Sequence, residues 1–186
     1  MQKKNQFLEI TNSKKIWAIG SIHSRLKSFI SVKKYLLENF QKDDYLVFLG
    51  NVIGLGEESK QTLSSVIDLR NKLMAKFFLK PDKIIFLRGA QEEMFLKLLQ
   101  LQTAPNPQDI IMWMLDHGVD ATIRSYGLNA DDIIDISSQG TLAISKWTKK
   151  LNFKLSEEPG HQQYFIHLKH AAFSESKKIL FLNRGV

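Results

Sequence analysis

Polar side chains that could bind an anion or a metal ion follow three short apolar runs of this 186-residue sequence. The first run is followed by Ser21 and His23, the second by Asn51, and the third by Arg88 and Glu92. A glycine lies at each of these turns, and glycine lets backbone amide groups approach a bound ligand closely. A guanidinium beside such amides suits phosphate, so Arg88 is the candidate anion contact.

The three apolar runs predict β-strands, and the glycine turns then lie at the carboxyl ends of these strands. In an open α/β sheet, this is the edge at which ligands bind. The predicted strands are residues 16–19, 45–49 and 83–87.

The segments that follow the predicted strands have the apolar periodicity of α-helices. Residues 26–40 place their apolar side chains along one stripe, and residues 59–78 and 92–102 are the second and third helical stretches. Strands that alternate with helices of this length indicate βαβ units and a largely parallel sheet. Further along the chain we expect a short helix at 109–116 and strands at 163–168 and 179–182.

The composition predicts one folded domain without covalent cross-links. The chain is 44% hydrophobic, and a chain of this length buries about 70% of the surface that it exposes when unfolded. The absence of cysteine excludes thiol catalysis and cysteine-ligated zinc, and it fits a reducing compartment. No stretch reaches the roughly 18 apolar residues of a membrane span. We therefore expect a single cytoplasmic domain over residues 1–186, with residues 1–14 as an N-terminal extension and no membrane contact.

The net charge is +7, from 26 Lys and Arg residues against 19 Asp and Glu residues. Such an excess favours anionic partners, including phosphate groups and nucleic acid. The lysines come in scattered pairs such as Lys33-Lys34 and Lys149-Lys150 and form no long block. The distribution is therefore typical of a solvated basic surface, with a functional anion-binding face as the alternative.

The spacing within the three turns resembles the fingerprint of the calcineurin-like metallophosphoesterases, G-D-x-H-G, G-D-x-x-D-R-G and G-N-H-E. The matching stretches are GSIHS at 20–24, GNVIGLG at 50–56 and RGAQE at 88–92. Two later stretches, WMLDHG at 113–118 and TIRSYG at 122–127, are similar to the bacterial branch that includes diadenosine tetraphosphatases and serine/threonine protein phosphatases.

The resemblance extends over roughly residues 16–186 and implies a definite fold and chemistry. The fold would be α/β, a layered β-sheet core flanked by helices, here shortened at its C-terminal end. The family uses two divalent ions such as Mn or Fe/Zn, bridged by an acidic oxygen, to hydrolyse phosphoric esters or anhydrides.

In the first two turns, other residue types stand at most of the positions where the resemblance implies metal ligands. Ser21 stands at the position of the first aspartate, whereas His23 keeps the histidine of that motif. Asn51 stands at the position of the bridging aspartate and cannot supply its negative charge. Gly54 and Leu55 replace the second aspartate and the arginine of the same motif.

The third turn and the C-terminal part depart from the family pattern as well. Ala90 and Gln91 replace the asparagine ligand and the histidine that acts as general acid or orients the phosphate, and Arg88 and Glu92 remain. The family's H-A-G histidine corresponds to His170 or, less well, to His167. The closing strand at 179–182 is followed by Asn183 where the family has the aspartate of a D-T-G turn.

These replacements favour a protein without catalysis, a pseudoenzyme kept for a binding or regulatory role and requiring no cofactor. Side chains that would bind the metal ions directly are lost, and loss of the groups that merely hydrogen-bond to such ligands typically weakens metal binding by about 10 to 100-fold. The alternatives are a metal-dependent phosphoesterase acting on a phosphoprotein or a dinucleotide polyphosphate, and a basic module that binds nucleotides or nucleic acid. The expected partner is an anionic ligand or a protein, with a homodimer formed through apolar surface as one candidate.

Several of the candidate residues also have a simpler structural interpretation. A polar residue such as His23 at a strand end is most often hydrogen-bonded near the surface. Glu92 would lie in the first turn of a helix, where the helix dipole favours an acidic side chain.

Overall fold

The strands of the described residues, 6–183, form two three-stranded sheets in a computed structural model of the chain. They are β1 (Phe7–Ile10), β2 (Ile16–Ile19), β3 (Tyr45–Phe48), β4 (Ile84–Phe86), β5 (Ala171–Ser174) and β6 (Leu180–Leu182). The first sheet is parallel, with the order β2-β3-β4. The second has the order β1-β5-β6, with β1 parallel and β6 antiparallel to β5. A parallel bridge between Leu87 and Lys169 joins the two sheets at one corner.

Helices connect the strands of the parallel sheet, as the βαβ prediction requires. They are α1 (Leu26–Asn39), α2 (Ser59–Phe77), α3 (Ala90–Leu98), α4 (Pro107–Met114), α5 (Asp120–Ser125), α6 (Asp132–Ser138), α7 (Thr141–Ser156) and α8 (His161–His167). The predictions of helices at 26–40 and 59–78 are confirmed. The third helix is shorter than predicted, because it ends at Leu98 and a separate 3-10 turn follows at Leu101–Thr103.

The chain between α4 and α5 continues in a wider π-type turn, Leu115–Val119. This turn contains Gly118 with a φ of 92°, a left-handed conformation that glycine adopts without steric cost. The predicted helix at 109–116 therefore exists, but it begins at Pro107 and bends away before Asp120.

The prediction of a strand at 163–168 is wrong, because these residues belong mainly to α8. The buried side chains of this segment are His161, Tyr164, Phe165 and Leu168, which are spaced as one face of a helix. The alternation about Phe165 that indicated a strand is a short fragment of this longer helical period. The strand predicted at 179–182 is confirmed as β6.

Strand β1 lies within the segment that the sequence suggested as an N-terminal extension, residues 1–14. It pairs along its whole length with β5, from Phe7 opposite Ala171 to Ile10 opposite Ser174. Ile10 is 1% exposed. Residues 7–10 are thus part of the second sheet and of its core.

The parallel sheet is buried on both faces by different layers. Because side chains alternate along a strand, Phe48 faces the helices and joins the main hydrophobic core. Val47 and Ile85 face the opposite way and pack with Ile10 and Ala172 of the second sheet. In the described residues the order of layers is therefore helices, parallel sheet, second sheet.

The outer face of the second sheet carries apolar side chains that are about half exposed. They are Phe7, Leu180 and Leu182, at 54%, 59% and 49%. The homodimer expected from the sequence would use a surface of this kind, and it stays a prediction.

Candidate functional site

The three glycine turns meet around Asn51, at the carboxyl edge of the parallel sheet. The carbonyl oxygen of Asn51 accepts hydrogen bonds from the backbone N–H groups of Ile22 and His23, at 3.0 and 2.8 Å. Its side-chain Nδ2 donates to Ser21 Oγ at 3.2 Å, and its Oδ1 accepts the backbone N–H of Gln91 at 3.0 Å. The structure therefore brings together residues of all three turns, and we call this region the loop cluster.

Glu92 holds the loop cluster together from beneath. Its Oε2 accepts the backbone N–H groups of Asn51 and Gly89, at 2.7 and 3.0 Å. Its Oε1 accepts the N–H of Val52 at 2.8 Å and the hydroxyl of Tyr164 at 3.2 Å. The side chain lies in the first turn of α3, as the sequence suggested, and it is 0% exposed. Its position is therefore explained by these partners more than by the helix dipole.

The ionisation of Glu92 depends on two opposing effects. Burial raises the pKa of the Glu92 carboxyl above its ordinary value, and the backbone N–H groups of Asn51, Val52 and Gly89 act in the opposite direction. A carboxylate that accepts several N–H groups keeps its charge more easily than an unpaired one.

Two glycines allow the second and third turns to touch. Gly50 has a φ of +88°, and a Cβ atom there would lie 2.5 Å from the backbone N of Gly89. A Cβ atom on Gly89 would in turn collide with the backbone N and the side chain of Asn51. Only glycine fits at both positions, so the frame is packed backbone against backbone.

Gln91 fills the space beside Gly54. A Cβ atom at Gly54 would overlap the amide group of Gln91, and Gln91 Nε2 donates to the carbonyl oxygen of His117 at 2.8 Å. Gln91 is 6% exposed. Two positions at which the resemblance implies reactive side chains are therefore occupied by a glycine and by an amide that packs over it.

Left-handed backbone conformations of non-glycine residues concentrate in the loop cluster. His23, Ser24, Asn51 and Leu55 have φ values of 48°, 58°, 53° and 61°. Each costs on the order of 1 kcal/mol, and such residues gather at functional sites.

Several buried polar atoms near these turns have no hydrogen-bond partner among the described residues. They are His23 Nδ1, Arg88 Nε, Gln91 Oε1 and Asn183 Oδ1. An unsatisfied buried polar atom typically costs about 1 to 3 kcal/mol. Burial, together with the positive charge of Arg25, lowers the pKa of His23 below its ordinary value, so its imidazole is neutral at pH 7.

Arg88, the candidate anion contact, already has a carboxylate partner. Its Nη1 donates to Glu93 Oε2 at 2.7 Å. Burial would raise the pKa of Glu93, but the hydrogen bond and the charge of Arg88 outweigh it, so that the pKa is lowered overall. An external anion at Arg88 would have to share the guanidinium with Glu93, which occupies only Nη1. Ala90, which begins α3, offers only a methyl group.

The downstream histidines contact other parts of the molecule. The backbone N–H of His170 donates to the Gln6 carbonyl oxygen at 2.8 Å, and its ring lies 6.4 Å from the ring of Phe7. His167 Nδ1 lies 2.7 Å from the Gln163 carbonyl oxygen, one turn earlier in α8. These contacts give neither histidine a role in the loop cluster. The closing strand does return there, because Asn183 Nδ2 donates to the Leu49 carbonyl oxygen at 2.6 Å.

The donor set of the loop cluster does not fit a centre of two divalent ions. Within residues 6–183 no group of three or more His, Asp or Glu side chains is arranged to hold a metal ion. The available donors are the Ser21 hydroxyl, the neutral His23 ring and the Asn51 amide, whose oxygen already accepts a backbone N–H group. Hard divalent cations prefer anionic oxygen ligands, and the carboxylate of the loop cluster, Glu92, is already engaged by backbone N–H groups and the Tyr164 hydroxyl.

The stretch 122–127 supports the turns through a buried hydroxyl chain. Thr122 Oγ1 lies 3.0 Å from Ser59 Oγ, which lies 2.6 Å from Ser24 Oγ in the first turn. Residues 122–127 are therefore linked to the first glycine turn although they lie far from it in sequence.

Sequence reasoning missed His161, which is fully buried beside the helices. Its Nδ1 lies 2.6 Å from the hydroxyl of Tyr126, and its Nε2 lies 3.0 Å from Ser64 Oγ. Burial lowers its pKa to about 4, with Glu158 acting to raise it and Lys60 to lower it. Its helical spacing to Tyr164 and Phe165 is the sequence signal that could have found it.

The protonation of His161 predicts a stability that depends on pH. Its folded pKa of about 4 lies below the ordinary histidine value of 6.5, so the stability that the neutral form contributes is fully present above pH 6.5. The free energy of unfolding should fall by roughly 2 kcal/mol as the pH drops from 6.5 toward 4. Urea denaturation at several pH values measures this change.

The matched controls are His161→Gln and His117→Gln. The first should flatten the pH dependence, and the second should preserve it because His117 is exposed. An unchanged pH profile in His161→Gln would assign the effect to other groups.

The chain is thus an α/β protein in which three glycine turns meet at the carboxyl edge of a parallel sheet. No described helix is long and apolar enough to cross a membrane. A comparison with protein-family models gives no match, and a search of the curated proteins finds no significantly similar sequence.

Proposed function

We propose that this chain is a non-catalytic protein built on a metallophosphoesterase-like frame and that it has a binding or regulatory role. The observation that supports this most is the closure of the loop cluster by its own side chains. Gln91 packs over Gly54, and the amide of Asn51 is engaged by Ser21 on one side and by the backbone of Gln91 on the other.

The chemistry of phosphoester hydrolysis explains why this closure matters. A two-metal mechanism needs a bridging anion and a metal-bound hydroxide in line with phosphorus. Asn51 is neutral, and its oxygen already accepts a hydrogen bond within the protein. The frame is thus retained while the groups that would carry the charge are replaced.

The proposal predicts no metal-stimulated hydrolysis by the purified chain. The substrates are bis(p-nitrophenyl) phosphate, diadenosine tetraphosphate and a phosphoserine peptide, each with Mn²⁺, Zn²⁺ or Fe²⁺ present. We expect rates equal to those of the buffer. Turnover that rises with protein concentration and disappears with a chelator would overturn the proposal in favour of a working phosphoesterase.

A variant that carries the family's residue types at four of these positions tests metal binding separately from hydrolysis. It combines Ser21→Asp, Asn51→Asp, Ala90→Asn and Gln91→His, and it leaves Gly54 unchanged because a side chain at φ +85° would be strained. By calorimetry we expect the variant to bind Mn²⁺ at least 10-fold more tightly than the natural chain. Equal and tight binding by both would show that the present residues suffice for the metal.

A further inference from the structure

A cavity lies away from the loop cluster, along the outer edge of β4. Its volume is about 700 Å³, within the range of about 300 to 1,000 Å³ that is usual for ligand sites. Ile67 of α2 and Tyr164 of α8 line one side, and Leu8 of β1 lines the other. None of the loop-cluster residues around Asn51 lines it.

The cavity runs along the strand edge, because it touches three successive residues of β4. Ile84, Ile85 and Phe86 all line it, although their side chains alternate between the two faces of the sheet. Ile84 and Phe86 belong to the core under the helices, and Ile85 to the core between the sheets. A space that reaches all three must lie beside the backbone.

The backbone at this edge has hydrogen-bonding groups that point away from β3, on the side where the cavity lies. The Leu87 N–H donates to the Phe48 carbonyl oxygen of β3 at 2.9 Å. The backbone groups of odd-numbered residues in this strand therefore face β3, and those of even-numbered residues face outward. The Phe86 carbonyl oxygen and the Arg88 N–H point the other way, to Lys169, at 2.8 and 2.7 Å. Within residues 6–183 this outer edge is paired only at that bridge.

Because the direction of the backbone groups alternates along a strand, it also identifies the outward-facing groups of β4 that have no partner strand. The N–H of Phe86 and the carbonyl oxygen of Ile84 have the outward parity and lie before the bridge. The three residues are buried, but an unpaired strand edge that borders a cavity is a template for another extended chain.

The charged groups at the cavity indicate which end of such a chain would lie there. Arg70 lines the cavity and forms no ion pair with any residue in 6–183, and its polar contact there is with Asn71 Oδ1 at 3.5 Å. His167 also lines it, with Nδ1 directed at the Gln163 carbonyl oxygen, so that Nε2 is left for a ligand. Asp82 is the one acidic residue of the lining. A carboxylate suits the planar guanidinium of Arg70.

We propose that this cavity binds a short extended peptide that adds a strand to the edge of β4. One apolar side chain would enter the space between Ile67 and Leu8, and a carboxylate would contact Arg70. Main-chain hydrogen bonds give affinity in this mode of recognition, and the apolar pocket and the cation give specificity. Three residues of β4 span about 10 Å, which a peptide of similar length can pair.

The test uses the full chain and a defined probe, N-acetyl-Thr-Val-Thr-Val with a free C-terminal carboxylate. Backbone amide resonances are followed during titration to several millimolar peptide. We expect saturable shifts at Phe86 and its neighbours. Absence of shifts at residues 84–86 at the highest concentration would overturn the proposal.

Two modified probes separate strand pairing from simple apolar contact. A peptide N-methylated at its inward peptide groups loses main-chain donors, and we expect binding at least 10-fold weaker. A C-terminal amide should also weaken binding about 10-fold through loss of the Arg70 contact. Equal binding of the N-methylated peptide, or binding of decanoate alone, would identify a site for amphipathic small molecules and contradict the peptide.

Matched protein variants complete the experiment. Arg70→Gln should weaken binding of the free-acid peptide about 10-fold and leave binding of the amidated peptide unchanged. Arg25 is an exposed arginine outside the cavity, so Arg25→Gln should change the binding of neither peptide. Equal losses for both peptides in Arg70→Gln would contradict the carboxylate contact. The cavity does not include the loop-cluster residues around Asn51, so the peptide titration and the hydrolysis assays test the two proposals separately.

Discussion

Replacing Glu92 by alanine is expected to lower the free energy of unfolding by about 3 to 5 kcal/mol. Its carboxylate accepts the N–H groups of Asn51, Val52 and Gly89 and the hydroxyl of Tyr164. Alanine would leave these donors buried without an acceptor and would open a cavity below the turns. Urea denaturation monitored by circular dichroism measures the loss.

Glu93→Ala is the matched control, since it removes the neighbouring carboxylate on the same helix. Glu93 is 27% exposed and pairs with Arg88 and Lys97, so we expect a loss of less than about 1 kcal/mol. Glu92→Gln should fall between the two variants, because its amide group turns one accepting oxygen into a donor that faces other donors. Equal losses for Glu92→Ala and Glu93→Ala would show that the loop cluster does not depend on Glu92.

The second large effect is expected for Gly50→Ala, which should destabilise the fold by at least about 3 kcal/mol. The new Cβ atom would lie 2.5 Å from the Gly89 backbone N and 2.7 Å from its Cα. Backbone atoms cannot swing aside as a flexible side chain can, so the second and third turns must separate. Thermal and urea unfolding measure the change, and the amide resonances of Asn51 should shift with it.

Gly127→Ala isolates the conformational part of this cost. Gly127 has a φ of +79°, close to the +88° of Gly50, but a Cβ atom there meets nothing within 4 Å. We expect a loss of about 1 kcal/mol for Gly127→Ala, which reflects the left-handed backbone alone. If the free energy of unfolding fell by the same amount in both variants, the close approach of the two turns would not contribute to stability.

The convergence of the turns could be predicted from sequence because the strand ends fix it. Three apolar runs, each followed by a glycine turn, give parallel strands whose carboxyl ends meet at one edge. The contact of Asn51 with both Ser21 and Gln91 follows from that arrangement. The prediction depends on the spacing of apolar runs and glycines, and this spacing does not change when the polar side chains of the turns are replaced.

The closure of the site could not be predicted in the same way. Whether the Gln91 side chain points outward or packs over Gly54 depends on the position of the His117 carbonyl oxygen. That oxygen belongs to an irregular π-type turn with a left-handed glycine. Periodicity describes regular elements, so contacts made by such a turn appear only in the folded chain.

The C-terminal misassignment has a related physical cause. Residues 163–168 contain a short alternating pattern, and a strand and a helix face cannot be distinguished over six residues. The helical period becomes visible only when His161 is included. A buried histidine is an unusual core residue, and its hydrogen bonds to Tyr126 and Ser64 account for its burial.

The pairing of β1 with β5 has a consequence for the order of folding. The partners Phe7 and Ala171 are separated by most of the chain, whereas β2, β3 and β4 follow one another with single helices between them. Contacts of such long separation form late, because loop closure must precede them. During synthesis on the ribosome, the face of the parallel sheet that carries Val47 and Ile85 therefore stays uncovered until β5 has emerged. In that interval this face is the part of the nascent chain most in need of a chaperone.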